Sequence, residues 1–150
     1  MTLIGVISDT HGLLREGIKD LFKDCSIILH AGDVGKESVL DELRRLKDTV
    51  AVRGNVDYWA QGLKVRETVE VQGSKILVLH NISELTINPK DYNIDVVIYG
   101  HSHKAVIKHE DGVLYFNPGS AGPVRFHLPV TAGLLKIEKG KIEAEIVHLK

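Results

Sequence analysis

Short apolar runs and amphipathic stretches alternate along the first third of the chain. Leu3 to Ile7 is an apolar run that predicts a buried strand. Leu14, Ile18, Leu21 and Phe22 then fall at helical spacing, with Arg15, Glu16, Lys19 and Asp20 on the remaining faces. Ile27 to Leu29 predicts a second buried strand. Val39, Leu40, Leu43 and Leu46 mark one face of a second helix, and Asp41, Glu42, Arg44 and Arg45 point outward. Val50 to Val52 predicts a third strand. This β-α-β-α-β order calls for parallel strands with helices packed on the sheet.

Strands dominate the rest. Val65, Glu67, Val69 and Val71 alternate with Arg66, Thr68 and Glu70, the period of a half-buried strand. Gln72-Gly73-Ser74 is a turn and Lys75 to Leu79 the returning strand. Pro89 to Asn93 predicts a short helix and Val96 to Tyr99 a buried strand. Val106 to His109 and Val113 to Phe116 form a hairpin around Glu110-Asp111-Gly112. Leu134 to Ile137 and Ile142 to Val147 form another around Lys139-Gly140. The expected architecture is a single domain over residues 1–150. It is a four-layer α-β-β-α sandwich, two mixed β-sheets packed face to face with helices outside.

Size and composition narrow the class. A chain of 150 residues suits one domain that buries about 68–70% of its unfolded surface. Hydrophobic residues make up 43% and charged residues 26%, as in soluble globular proteins. Nineteen basic and 20 acidic residues leave a formal charge of −1. That charge gives no general attraction to nucleic acid or an anionic membrane. A nucleic-acid substrate is neither indicated nor excluded. One cysteine, Cys25, forbids an intramolecular disulfide and reads as a buried, inert thiol. The N-terminus lacks a basic start, and its apolar run is too short for a signal peptide or a membrane span, so a cytoplasmic location is expected.

The candidate chemistry sits where predicted strands run into loops. Ser8-Asp9-Thr10-His11, Gly32-Asp33, Gly54-Asn55, Leu79-His80-Asn81 and Gly100-His101-Ser102-His103 all occupy such positions. In open α/β sheets ligands gather at the carboxyl ends of the strands. Asp9, Asp33 and Asn55 should therefore converge, and His80 and His101 can join them. Carboxylates, an amide oxygen and imidazoles together can hold two divalent metals, and imidazole suits transition metals better than magnesium or calcium. D-x-H or G-D alone is common. The order of the blocks and their shared position at strand ends make the set specific. The alternative is a group of polar loop residues with a few buried histidines.

Those blocks carry a family resemblance. Ile7-Ser8-Asp9-Thr10-His11-Gly12, His30-Ala31-Gly32-Asp33, Arg53-Gly54-Asn55-Val56-Asp57, Gly100-His101-Ser102-His103 and Asn117-Pro118-Gly119-Ser120-Ala121-Gly122-Pro123 span nearly the whole chain. Their order resembles the calcineurin-like metallophosphoesterases, and within them the short single-domain phosphodiesterase branch of the YfcE type. The resemblance implies the same layered fold. It implies a first metal on Asp9, His11 and His103, a second on Asn55, His80 and His101, and Asp33 bridging them. The implied cofactors are two divalent ions, with manganese leading and nickel, zinc or iron(II) as alternatives. Asp33, Asn55 and His80 would then act in catalysis through a metal-bound hydroxide that attacks phosphorus in line.

Metal-dependent hydrolysis of phosphodiesters is the leading expectation. A phosphomonoesterase or nucleotide pyrophosphohydrolase on the same metals is one alternative. A binding scaffold, like the retromer subunit that resembles this branch, is another. Competent ligands at every position favour the enzyme. The expected partner is a phosphodiester or another small phosphorylated substrate, with no membrane, and a homo-oligomer stays open.

Two departures bear on substrate. Many superfamily members place a histidine after the metal-binding asparagine, where it aids the leaving oxygen; here Val56 stands there, followed by Asp57. General-acid help is commonly worth about 10²–10⁴-fold, so acidic leaving groups are favoured. His80-Asn81-Ile82 replaces a His-Gly-His found in several relatives, which changes the pocket wall rather than the metal count. Arg125 is the candidate phosphate clamp, alongside Asn55, with a plain surface arginine as the equal alternative. His30 reads as a packed, hydrogen-bonded strand residue, or else as a support for the metal ligands. His109 and His148 read as solvated. His127 lies in a loop that could overhang the site. Asn117-Pro118-Gly119-Ser120 reads as a rigid turn at the back of the site.

Overall fold

The computed structural model describes residues 1–149. The first half folds as β1 (Thr2–Ile7), α1 (Gly17–Phe22), β2 (Ile27–His30), α2 (Glu37–Leu46) and β3 (Asp48–Ala51). The rest is β4 (Arg66–Val71), β5 (Ser74–Leu79), β6 (Val96–Ile98), β7 (Ala105–Glu110), β8 (Val113–Pro118), β9 (Thr131–Glu138) and β10 (Lys141–His148). One sheet runs β10-β9-β1-β2-β3 and the other β4-β5-β6-β8-β7. In the first, β1, β2 and β3 are parallel, as the sequence predicts, and β9 lies antiparallel to β1. In the second, β5, β6 and β8 are parallel, with β4 and β7 as antiparallel edges. Both sheets are mixed.

Alternation along the strands builds the layers. Ile4 and Val6 of β1 point between the sheets with Leu29, Ile76, Val78, Val96, Ile98, Phe116 and Leu135. Ile7 points to the other face, against Ile18, Phe22, Val39, Leu40 and Leu43 of the helices. Each such aliphatic side chain, once buried, stabilises the fold by roughly 1.5–3 kcal/mol. Gly5 shares that outer face because α1 lies so close. A Cβ there would sit 2.8 Å from the Phe22 ring, so Gly5→Val would overpack a full core. Over the second sheet the outer layer is thin. Ile82 of the 3₁₀ segment Ile82–Glu84, with Leu85, Ile87 and Ile94, packs with Leu77, Leu79, Val97 and Val113, and a second 3₁₀ segment spans Pro89–Tyr92. The Pro89–Asn93 stretch is thus 3₁₀ rather than α. Asn88 caps its start and Asn93 ends it in the left-handed region.

Some strand ends differ from the apolar pattern. β9 begins at Thr131, where Leu134 is the first apolar signal, because Thr131 to Gly133 are held by ladder bonds to β10 and, at Gly133, to β1. Backbone pairing does not require an apolar side chain. Cys25 is buried, which pushes its thiol up to about 11, so it is inert at neutral pH. His109 and His148 are exposed. No helix among the described residues is long and apolar enough to cross a membrane.

Candidate metal centre

The carboxyl ends of β1, β2 and β5 deliver Asp9, Asp33 and His80 to one edge of the sandwich, and the loops beyond β1 and β6 add His11, His101 and His103. The side chains converge closely. Asp9 Oδ1 lies 3.8 Å from His11 Nε2, 3.5 Å from His103 Nε2 and 3.9 Å from His80 Nε2. Asp33 Oδ2 lies 3.6 Å from His11 Nε2 and 3.2 Å from His80 Nε2, so a single carboxylate oxygen stands between the two imidazoles. The His101 ring meets the His80 ring edge-on at 5.2 Å. Asn55 shares a small cleft with His80. Asp9, His11 and His103 form one group able to hold an ion, and Asp9, Asp33 and His80 another.

Several polar atoms in this cluster are buried without a hydrogen-bond partner: Asp9 Oδ1, His11 Nε2 and His80 Nε2, with His103 Nδ1 beside them. Leaving a buried polar atom unpaired costs about 1–3 kcal/mol. His80 makes the reason concrete. Its Nδ1 is 2.8 Å from the Ala31 carbonyl, which can only accept, so Nδ1 carries the proton. A neutral His80 then turns a bare lone pair on Nε2 toward Asp33 Oδ2. Two acceptors at that distance repel unless a proton or a cation lies between them. Burial disfavours a charged His80, but the Asp33 carboxylate 3.2 Å away, with Asp9 nearby, outweighs it and raises its pKa. Burial likewise opposes ionisation of Asp33, yet His80, the Val56 N–H and His11 hold its carboxyl at about 2. Burial lowers the His11 pKa; Asp33 and Asp9 oppose that, and the charge of Arg125 adds to it. Anionic oxygens and imidazole lone pairs aimed at common points are a donor set that fits divalent transition metals.

The backbone is bent to present these groups. Asp9, His11, Asp33, His101 and His103 all have positive φ, between 46° and 73°. Left-handed backbone on such residues is strained and persists where surrounding structure fixes it. The fixing contacts are visible. Ser8 Oγ and the His101 N–H both donate to Asp9 Oδ2, at 2.8 and 3.1 Å. The Val56 N–H donates to Asp33 Oδ1 at 3.0 Å. Each aspartate thus has one oxygen tied down and the other facing the imidazoles. A side chain on Gly54 would overlap the Asp33 backbone, and one on Gly100 would overlap Ser8 Oγ. Asn117 donates to the Gly100 carbonyl and Ser102 Oγ, and Ser120 Oγ donates to the Asp9 carbonyl. The turn at the back of the site therefore anchors two of the loops.

Asp57 has a role that its position beside Val56 does not suggest. It is buried and accepts the backbone N–H groups of Val34, Gly35 and Gly54. It clasps the Asp33 loop to the Asn55 loop, while Val56 is 38% exposed. The only sequence signal was a carboxylate two residues after Asn55. His30 is fully buried, and its Nδ1 accepts the Gly32 N–H at 3.0 Å. Thr10 Oγ1 donates to the Val34 carbonyl, so His30 Nε2 donates to Thr10 Oγ1 at 3.0 Å. Packed strand residue and support for the cluster are here the same arrangement, since Thr10 and Gly32 flank Asp9, His11 and Asp33. Asn81 caps the Ile82–Glu84 turn instead of entering the cluster. Arg125 and His127 are exposed in the loop after β8, where Phe126 meets the His103 ring at 6.0 Å.

Burial holds the His30 pKa down to about 4. Its folded value is below the unfolded one, so its contribution is complete above about pH 6.5 and is lost as pH falls toward 4, by roughly 3 kcal/mol at most. His30→Asn keeps an acceptor for Gly32 and removes the titration. Urea unfolding between pH 6.5 and 4 should then show a shallower decline than wild type. Parallel curves would show that His30 does not titrate on unfolding.

The fold and this donor set define a class, and the sequence comparison names it. The chain belongs to the calcineurin-like phosphoesterase superfamily, whose domain matches residues 2–140. It is 34% identical over 161 residues to a probable metallophosphoesterase of Methanocaldococcus jannaschii, covering 99% of this chain and 82% of that protein. Another protein of that organism, named a phosphodiesterase, is 31% identical over 159 residues, with 91% of this chain and 93% of the relative covered. Among solved structures, it is similar to Vps29 of Entamoeba histolytica complexed with zinc, with a TM-score of 0.77 and 26% identity over 98% of this chain and 99% of that one.

Proposed function

We propose that the protein is a metal-dependent phosphodiesterase using two divalent transition metals. Asp9, His11 and His103 would hold one ion and Asn55, His80 and His101 the other, with Asp33 contributing to both. The observation that carries this reading is the convergence of buried, unpartnered Asp9 Oδ1, His11 Nε2 and His80 Nε2. When bound, such a pair of ions acidifies a water toward neutral pH and draws charge from the phosphoryl oxygens. The protein's own groups set the geometry. Ala31 fixes the His80 tautomer, Ser8 and the His101 N–H orient Asp9, and the Val56 N–H orients Asp33. The scaffold reading is weaker, because a scaffold has no use for buried polar atoms that destabilise the fold until a cation arrives.

Neither residue that follows Asn55 supplies the leaving-group histidine of many relatives, since Val56 is apolar and Asp57 accepts three backbone amides. Activity should therefore be greatest on diesters with acidic phenolic leaving groups and small on alkyl phosphomonoesters. The test reconstitutes metal-free protein with manganese, nickel, zinc, iron(II) or magnesium, one at a time. Elemental analysis should approach two ions per chain, and kcat/KM is measured on phosphodiesters, phosphomonoesters and nucleotides. Zero stoichiometry with every transition metal would end the metal assignment. A preference for alkyl monoesters would make the phosphomonoesterase the better account.

A further inference from the structure

Two clefts flank Asn55, and Arg53 lines both. The smaller contains His80 and Glu84. The larger, about 430 Å³, is bounded by Asn55, Asp57, Tyr58 and Gln61. A still larger cleft, lined by Lys36, Arg44 and Trp59, contains none of the metal-cluster side chains.

We propose that the Arg53–Tyr58–Gln61 cleft is the subsite for the nucleoside half of a small nucleotidyl phosphodiester. The proposal rests on the phosphodiesterase reading and names its substrate class. Position comes first. The cleft shares Asn55 with the smaller cleft that contains His80, so a group lying in it sits next to the proposed metal cluster. Charge comes second. Arg53 is half-buried, yet among the described residues its guanidinium makes no hydrogen bond, and Lys108–Glu110 is the only ion pair involving a lysine or arginine. A free planar fork beside a phosphate site suits a phosphate oxygen pair. Shape comes third. Tyr58 is 83% exposed, a large ring left in water at the cleft wall. Aromatic faces stack nucleobases, and the Gln61 carboxamide can both donate to and accept from a base edge. The volume lies in the range of sites for small ligands. A net charge of −1 lacks the field that a long polynucleotide would need, so the ligand is small.

A pair of substrates with one leaving group tests this. Thymidine 5′-monophosphate p-nitrophenyl ester and methyl p-nitrophenyl phosphate both form a bond from water oxygen to phosphorus and release p-nitrophenolate with the bonding electrons. The products are thymidine monophosphate or methyl phosphate. On manganese-reconstituted protein the nucleotidyl ester should be favoured by about tenfold or more in kcat/KM, mostly through KM. Tyr58→Ala should bring that ratio close to one, and Tyr58→Phe, which keeps the ring, should preserve it. Calorimetric titration with thymidine 5′-monophosphate against methyl phosphate should show the same preference and the same loss, independently of turnover. A ratio near one in the wild type, a phenyl ester performing as well as the nucleotidyl ester, or an unchanged ratio in Tyr58→Ala would overturn the subsite. If no diester is cleaved with any metal, the hydrolase reading fails, and the difference in binding alone decides the subsite.

Discussion

Asp33→Ala is expected to lower kcat/KM by about 10³-fold or more, equivalent to about 4 kcal/mol of transition-state stabilisation. It should also reduce bound metal below that of any other single ligand variant. The reason is geometric. Asp33 Oδ2 is the oxygen nearest both His11 Nε2 and His80 Nε2, at 3.6 and 3.2 Å. Its loss removes a negative charge from both halves of the cluster, whereas Asn55→Ala removes one neutral oxygen. Two cations facing each other with less anionic compensation bind more weakly. The check is metal content by elemental analysis together with kcat/KM on an aryl diester. Retention of both metals with normal turnover would show that Asp33 does not link them.

Asp57→Ala should produce the largest loss of stability among the site variants, about 3 kcal/mol, or roughly 10 °C in Tm for a chain of this size. Its carboxylate is the acceptor for the Val34, Gly35 and Gly54 amides. Val34 is fully buried, so water cannot replace that bond. The amides of Gly35 and Gly54 are nearer solvent, which limits the total. Because the same carboxylate joins the Asp33 loop to the Asn55 loop, metal affinity should fall as well, by about 10–100-fold, the scale for groups that orient ligands. Asp57→Asn keeps an acceptor oxygen and should fall between wild type and alanine. A urea midpoint within error of wild type would mean that the clasp is not needed for folding.

The same substitution shows what a sequence cannot display. Asp57 stands two residues from Asn55, and nothing in the local sequence gives it a role. The fold uses it for backbone amides that come from a loop more than 20 residues earlier. Hydrogen bonds of this kind have no local spacing, because the partners are amides that every residue carries. Arg53 is undistinguished in the sequence for the same reason. Inside Arg53-Gly54-Asn55 it is an ordinary basic residue, and only the shape of the clefts on either side of Asn55 gives it a place. The bent backbone at Asp9, His11, Asp33, His101 and His103 was also invisible, since none of these is the glycine that normally signals positive φ.

What the sequence did determine is the set of elements and the chemistry at their ends. The apolar runs at Leu3–Ile7 and Ile27–Leu29 and the helical faces of Leu14–Phe22 and Val39–Leu46 dictate parallel strands. Parallel strands put the residues that follow them on one edge. Topology alone therefore makes Asp9 and Asp33 neighbours. Tertiary structure decided how they meet. Which carboxylate oxygen is tied to a backbone amide and which is free depends on distances set by packing two sheets together. So do the His80 tautomer fixed by Ala31 and the burial that holds His30 neutral. Those distances come from side chains remote in sequence filling a shared core at close-packed density, and no pattern along one strand carries them.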